Sequence, residues 1–204
     1  MQNNKITILA VSGSLRATSA NTQMLKDIQQ WSPAEIEFTI YQDLATLPAF
    51  DDSAEEGEAI TKWRQQLTAA DGVFICSPEY AFGVPGALKN AIDWTVRSGE
   101  LVNKPLALVT AASSGDKAHA AWLHIFSALS ANIPEGGALL IPFIRTKLNE
   151  KGEIADAATK AAVSLAFSLS PRSLNHQRIT AIAIVENASL LTSVCVPIRA
   201  NRNP

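Results

Sequence analysis

The sequence predicts an α/β fold in which five parallel strands form one open, doubly wound sheet with helices on both faces. Strand-like and helix-like segments alternate five times along the 204 residues, and helical crossovers are the usual connection between parallel strands. Two of the strand-like runs are almost wholly apolar, which is typical of strands buried on both faces. The composition, 47% hydrophobic and 18% charged, is that of a folded globular chain.

The first three elements are a strand, a helix and a strand. Residues 5–12 are a continuous apolar run rich in β-branched side chains, and the run ends at Gly13. Residues 20–31 carry apolar side chains at helical spacing, and this helix is expected to end before Pro33. Residues 35–41 alternate between apolar and polar side chains, so they are predicted to form the second strand.

The middle of the chain continues the alternation. Residues 55–69 are charged but carry apolar side chains along one helical face, which predicts the second helix. Residues 72–77 form the other apolar run, and Pro78 ends this third strand. Residues 86–98 again have helical spacing and are predicted to form the third helix.

Two further strand–helix pairs complete the pattern. The strands are predicted at 105–112 and 138–142, and the helices at 117–131 and 155–167. After residue 167 the alternation stops, so 1–167 is expected to be the ligand-binding domain. Residues 168–204 are an atypical extension that fits an edge strand, an oligomer contact or a loosely ordered end.

Charge and motif content exclude several classes of function. A net charge of −2, from 17 basic and 19 acidic residues, provides no basic field for nucleic acid. The start of the chain lacks the basic region and cleavage pattern of a secretory signal, and the weakly charged stretch 179–198 contains Glu186 and Pro197, which argues against a membrane span. Cys76 and Cys195 form no Cys-x-x-Cys pair. A cytoplasmic protein without metal, nucleic-acid or membrane partners is expected.

Ligands of open parallel sheets bind beyond the carboxyl ends of the strands, which directs attention to three loops. The first loop (12–21) has one glycine and lacks both the Gly-x-Gly-x-x-Gly of dinucleotide sites and the Gly-Lys-Ser/Thr of triphosphate sites. It offers hydroxyls, Arg16 and the N-terminus of a helix, which together favour a terminal monophosphate. The alternative is a serine-rich turn with a solvated arginine.

The other two loops suggest a flat ligand. In the second loop (77–94), prolines restrict the backbone and glycines allow it to approach a ligand closely. Tyr80 and Phe82 are placed to line a ring, although aromatic side chains beside a loop also serve in packing. The third loop (111–116) is a turn of small residues able to cover the same ligand.

The third loop also supports a hydrolase alternative. It contains Ala-x-Ser-x-Gly, a variant of the nucleophile elbow, with Ser113 as the nucleophile. Asp156 and His176 follow in the Ser–Asp–His order. The chain shows no oxyanion-hole motif and is short for a hydrolase of that kind.

Two stretches taken together carry a family resemblance. They are Gly13-Ser14-Leu15-Arg16 with Ser19 and Asn21, and Pro78-Glu79-Tyr80 followed by residues 83–94. This combination resembles the NAD(P)H-dependent FMN reductase family, which includes flavodoxin-like quinone, azo-dye and chromate reductases. The similarity covers roughly residues 5–165.

The resemblance implies a flavodoxin-like sheet in the order 2-1-3-4-5 that binds one FMN per subunit. The implied FMN contacts are Ser14, Arg16, Ser19 and Asn21 for the phosphate, Pro78, Glu79, Tyr80 and Ala81 for the ring edge, and Ser113, Ser114 and Gly115 from the third loop. The implied activity is hydride transfer from NADPH or NADH through flavin N5 to a small-molecule acceptor such as a quinone, an azo compound or a flavin. No catalytic side chain is required, because the chemistry belongs to the flavin. Family members are typically homodimers or homotetramers.

The sequence departs from the family where Ala81-Phe82 replaces the Asn or His that often follows the Glu-Tyr pair. A rival interpretation is an FMN-binding electron carrier without NAD(P)H activity. Arg16 and the modest net charge argue against a carrier. Among the remaining residues, His119 and His124 are expected at the surface or an interface, and Cys76 is expected to be an inert core residue.

Overall fold

The computed structural model describes residues 5–53 and 55–169 of the chain. Its strands are β1 (Ile6–Ser12), β2 (Ile36–Ile40), β3 (Gly72–Ser77), β4 (Leu106–Ala111) and β5 (Ala138–Ile141). Every neighbouring pair is parallel, and the order across the sheet is β2-β1-β3-β4-β5. The five-stranded parallel sheet predicted from the sequence is confirmed, together with the strand order that the resemblance implies.

Helices cover both faces of this sheet, as predicted. They are α1 (Ala20–Trp31), α2 (Glu58–Ala69), α3 (Gly86–Asp93), α4 (Asp116–Ala128) and α5 (Ala157–Leu169). On one face, α1 and α5 bury Met24 and Val163 against the strands. On the other face, α2, α3 and α4 bury Trp63, Leu88 and Trp122.

The burial of the strands explains the continuous apolar runs in the sequence. Successive side chains of a strand point to opposite faces, so Ile8 and Ala10 enter one core while Leu9 and Val11 enter the other. Every residue of β3 and of β4 is buried. Burial of each Leu, Ile or Val side chain stabilises the fold by about 1.5–3 kcal/mol relative to exposure. The central strands therefore hold the loops at their ends in fixed positions.

The third helix is shorter than the sequence predicts, because it ends at Asp93 and not at residue 98. The carbonyl of Ile92 accepts hydrogen bonds from both the N–H and the hydroxyl of Thr95, at 3.0 and 2.7 Å. The N–H of Val96 donates to the carbonyl of Asp93 at 3.1 Å. These i to i−3 bonds tighten the chain into turns, and a threonine hydroxyl that competes for a helical carbonyl favours this ending.

The last helix runs through Leu169, two residues beyond the expected domain end at 167. The rest of the predicted extension, residues 170–204, lies outside the described residues, and so do His176 and Cys195. None of the helices in the described ranges is long and apolar enough to cross a membrane. Residues 5–53 and 55–169 contain no group of three or more His, Cys, Asp or Glu side chains arranged to hold a metal ion.

Cys76 is a fully buried residue of β3, which confirms the core role predicted for it. Its thiol donates to the side-chain oxygen of Asn21 at 3.2 Å. Burial raises the pKa of this thiol well above the ordinary cysteine value. The thiolate form is therefore suppressed, and Cys76 is inert at neutral pH.

Candidate functional site

The three loops identified in the sequence follow β1, β3 and β4, which are adjacent in the sheet. The carboxyl ends of parallel strands meet at the same edge, so the loops are neighbours although up to about a hundred residues separate them along the chain. A cluster of hydroxyl groups shapes the first loop. Ser19 caps α1 by accepting from the N–H of Thr22 at 3.0 Å, and the Thr22 hydroxyl lies 2.8 Å from that of Ser19 and 2.9 Å from that of Ser12.

The first loop presents an exposed cation, Arg16, together with the backbone N–H groups at the start of α1. Arg16 is exposed, and no partner within the described part of the chain hydrogen-bonds or ion-pairs with its guanidinium. Ala20 and Asn21 are the first residues of α1, so their N–H groups have no carbonyl to bond within the helix. A guanidinium beside the N-terminus of a helix is well suited to bind a phosphate. The donor set therefore fits the phosphate of FMN.

Both polar groups of the Asn21 side chain are hydrogen-bonded within the protein. This side chain is 3% exposed; its amide donates to the carbonyl of Ala111 at 3.1 Å, and its oxygen accepts from the thiol of Cys76 at 3.2 Å. The side chain therefore ties α1 to the ends of β3 and β4. The backbone N–H is the part of Asn21 left to face a phosphate.

Gly13 lets the first loop pack closely against the second. A Cβ atom at this position would lie 3.1 Å from Leu88 Cδ2, 3.2 Å from Pro78 Cδ and 3.2 Å from Ser77 Oγ. These distances are shorter than ordinary van der Waals contacts, so a larger residue would require the neighbouring side chains to shift by a few tenths of an ångström. Pro78 is buried at this contact between the two loops.

The second loop contains a tight turn at Tyr80–Gly83. The N–H of each of these two residues donates to the carbonyl of the other, at 3.0 and 2.9 Å. The intervening Ala81 and Phe82 both have left-handed backbones, with φ of 48° and 58°, which is the geometry of a type I′ turn. Such turns favour Asn and Gly, and a left-handed non-glycine residue costs about 1–2 kcal/mol. Ala81 and Phe82 thus place a strained turn beside the site.

The side chains on this turn are exposed at the edge of the sheet. Phe82 is 79% exposed and Tyr80 is 46% exposed. The hydroxyl of Tyr80 nevertheless donates to the hydroxyl oxygen of Ser14 at 3.2 Å. This contact joins the second loop to the first, and Ser14 itself is buried at the junction.

Glu79 joins the second loop to the third. Its carboxylate accepts from the N–H of Lys117 and of Ala118, both at 3.0 Å, and from the N–H of Gly115 at 3.3 Å. Two adjacent residues of the second loop therefore contact the other two loops. Tyr80 contacts the first loop, and Glu79 contacts the third. No local sequence signal predicts the contact of Glu79, because its partners lie 36 to 39 residues away.

The third loop turns through Gly115, which has a φ of 93°. A Cβ atom there would lie 2.8 Å from Leu140 Cδ1, the end of a side chain that can shift, so the left-handed backbone is the stronger reason for glycine. Ser114 donates its hydroxyl to Asp116 at 2.7 Å, and this bond, reinforced by Lys117, lowers the pKa of the Asp116 carboxyl. Ser113 follows β4 and is exposed at the same edge.

The expectation that His119 lies at the surface is wrong. Its side chain is 4% exposed, and its Nδ1 lies 2.9 Å from the hydroxyl of Thr110 on β4. Burial lowers the pKa of His119 and favours the neutral ring. His124 is exposed, as predicted.

The residues required for the hydrolase alternative are not assembled in the described ranges. Within them, no hydrogen bond joins Ser113 to a histidine, and His176 lies outside them. Asp156 accepts from the N–H and the hydroxyl of Thr159, at 2.8 and 2.6 Å. These bonds lower the pKa of Asp156 and assign it to the start of α5.

Comparison with known proteins finds a family model and relatives that match much of the chain. The model of the family described as NADPH-dependent FMN reductase matches residues 6–146. A quinone reductase of Escherichia coli (strain K12) is 31% identical over 170 residues, which are 76% of this chain and 88% of the relative. The NAD(P)H-dependent FMN reductase PA1204 of Pseudomonas aeruginosa is 32% identical over 113 residues, 53% of this chain and 60% of the relative.

The fold also matches solved structures. The flavoenzyme NAD(P)H:(acceptor) oxidoreductase FerB from Paracoccus denitrificans superimposes with a TM-score of 0.64 at 22% identity. The match covers 81% of this chain and 95% of that protein. At this level of identity, the likeness shows the shared flavodoxin-like fold alone.

Proposed function

The chain belongs to the NADPH-dependent FMN reductase family, and from this premise we propose that it is an FMN-dependent oxidoreductase that passes a hydride from NADPH or NADH to quinones. The observation that carries the proposal is the matched segment itself, because residues 6–146 contain all three loops of the candidate site. Azo compounds, flavins and similar small molecules are further acceptors, because they too can take up two electrons. The acceptor is the principal small-molecule partner.

In this proposal, the first loop holds the phosphate of FMN. Arg16 supplies the opposite charge, and the N–H groups of Ala20 and Asn21 supply hydrogen bonds. Ser14 and Ser19 add hydroxyls, although both also make contacts within the protein. The absence of a partner for Arg16 among the described residues supports its role, because an exposed arginine loses little when it turns toward a ligand.

The second and third loops form the two sides of the ring site. The backbone of Pro78, Glu79, Tyr80 and Ala81 lies along one side, and Ser113, Ser114 and Gly115 lie along the other. When bound, FMN supplies the capacity to accept a hydride and to return the electrons to a second substrate. The protein binds the cofactor, orients it and leaves one face open, and none of its side chains is required to exchange a proton.

We propose residues 1–167 as the FMN-binding domain and a homodimer or homotetramer as the working assembly. The exposed aromatic residues Tyr80, Phe82 and Phe143 at the loop edge support a contact with a second subunit. A cytoplasmic location, the absence of a nucleic-acid partner and the role of residues 168–204 stay predictions of the sequence.

The proposed activity is tested by incubating the purified protein with FMN, removing free flavin, and following NADH or NADPH consumption with menadione as acceptor. Consumption that depends on FMN, on the protein and on menadione supports the proposal. Retention of FMN without consumption of either nucleotide would favour the electron carrier. Cleavage of an ester substrate that is lost in Ser113→Ala would favour the hydrolase.

A further inference from the structure

The helix α4 begins at the third loop without a capping side chain of its own. Gly115 occupies the N-cap position and has no side chain to offer. The hydroxyl of the preceding Ser114 is directed to Asp116 and not to the helix N–H groups. The first N–H groups of a helix have no intrahelical partners, so α4 needs acceptors from elsewhere.

Glu79 provides those acceptors from the second loop. One carboxylate oxygen accepts from the N–H of Lys117 and of Ala118 at 3.0 Å, and the other accepts from the N–H of Gly115 at 3.3 Å. The negative charge also suits the positive end of the helix dipole. The cap of α4 thus comes from the opposite side of the candidate ring site.

This arrangement fixes the relative position of the second and third loops. The carboxylate is held by the N–H of Gly115, the N-cap residue, and by two N–H groups in the first turn of α4. It is therefore directed at the start of the helix and not along the ring edge. Tyr80, the next residue, is tied to Ser14 in the first loop. A shift of the second loop would therefore break contacts on both sides at once.

We propose that Glu79 is a positioning residue for the flavin: through its carboxylate cap on α4, it sets the spacing between the two sides of the ring site. The proposal rests on the proposed function, because it concerns the same FMN site. It differs from the family expectation for this residue, in which Glu79 serves as a contact of the ring. We therefore expect a change at Glu79 to weaken the binding of the flavin ring and to leave the contacts of the phosphate unchanged.

The test compares the dissociation constants of FMN and of riboflavin, which lacks the phosphate, by quenching of flavin fluorescence on the apoprotein. Glu79→Ala is expected to weaken both ligands to a similar degree, by about 10- to 100-fold, the equivalent of a lost charge-assisted contact. Glu79→Gln retains one acceptor oxygen, so it should fall between Glu79→Ala and the wild type. Arg16→Ala should weaken FMN and leave riboflavin unchanged.

Asp156→Ala is the matched control, because Asp156 caps α5 through the N–H of Thr159 and lies in none of the three loops. It should lower the melting temperature as a lost cap does and leave both dissociation constants unchanged. Glu79→Gln keeps the size of the native residue and one acceptor oxygen, so it serves as the folded variant if Glu79→Ala melts below the assay temperature.

Three results would overturn the inference. They are unchanged flavin affinity in both Glu79 variants, an equal loss of affinity in Asp156→Ala, and a loss confined to FMN in Glu79→Ala. If wild-type protein binds neither flavin, the proposed function fails, and this inference fails with it. Tight binding by the wild type and by both Glu79 variants overturns the positioning role alone.

Discussion

The hydroxyl of Tyr80 donates to the hydroxyl oxygen of Ser14 at 3.2 Å and so joins two loops that lie 66 residues apart in the sequence. Tyr80→Phe removes this hydrogen bond and keeps the ring. We expect the free energy of unfolding to fall by about 0.5–1.5 kcal/mol, the usual net value of one neutral hydrogen bond. Urea unfolding of the apoprotein measures it, and an unchanged midpoint would show that the contact contributes nothing.

Tyr41 is the matched control for Tyr80, because its hydroxyl is buried and has no hydrogen-bond partner among the described residues. Its removal in Tyr41→Phe relieves the cost of burying a polar group. The free energy of unfolding should stay the same or rise by about 1 kcal/mol. A clear loss of stability in the same urea experiment would reveal a partner for this hydroxyl.

The same tyrosine predicts a loss of stability at alkaline pH. Burial, with a smaller effect from the charge of Asp43, raises the pKa of Tyr41 to about 12, whereas an unfolded tyrosine has a pKa of about 10. The titration of Tyr41 leaves the free energy of unfolding unchanged below about pH 10 and lowers it as the pH rises toward 12, because the unfolded chain releases its proton first. Unfolding of the wild type and of Tyr41→Phe at about pH 9 and about pH 11 should show a steeper fall for the wild type.

The left-handed backbone at Ala81 predicts that a residue suited to this conformation will stabilise the protein. Ala81 is exposed, with a φ of 48°, so its replacement loses no packing. Ala81→Asn should raise the free energy of unfolding by about 0.5–1 kcal/mol, and Ala81→Val should lower it, because β-branched residues avoid this region. If both variants melt at the wild-type temperature, the turn is not strained.

Arg16 is predicted to contribute charge to the phosphate site. Arg16→Ala should weaken FMN binding by about 1.5–3 kcal/mol, the range for a hydrogen bond to a charged group, and higher salt should reduce the difference. Arg97 is an exposed arginine after the end of α3, and Arg97→Ala should leave the dissociation constant unchanged. Equal affinities for wild type and Arg16→Ala would mean that Arg16 is solvated in the complex.

The strands could be predicted from the sequence because a strand that is buried on both faces consists of consecutive apolar residues. The strand order came from the family resemblance, since nothing within one run identifies its neighbour. The third helix was predicted too long because its ending depends on how the Thr95 hydroxyl competes for the carbonyl of Ile92.

The position of the three loops at one edge of the sheet could be predicted from the sequence, but the contacts that their side chains make could not. Asn21 is drawn into the core by Ala111, 90 residues away, and His119 is buried against Thr110 on another element. Glu79 was assigned to the ring edge, yet its carboxylate caps a helix 38 residues further on. In each case the packing of the sheet and helices determines the partner. A short sequence motif does not predict that packing.

The most direct test of the account is an anaerobic absorption spectrum of the protein after incubation with FMN and removal of free flavin. The account predicts a bound flavin, at one per chain, whose visible absorption is bleached by NADH or NADPH and restored by menadione. Protein that retains no flavin would contradict the cofactor site. A bound flavin that neither nucleotide bleaches would contradict the proposed reductase activity.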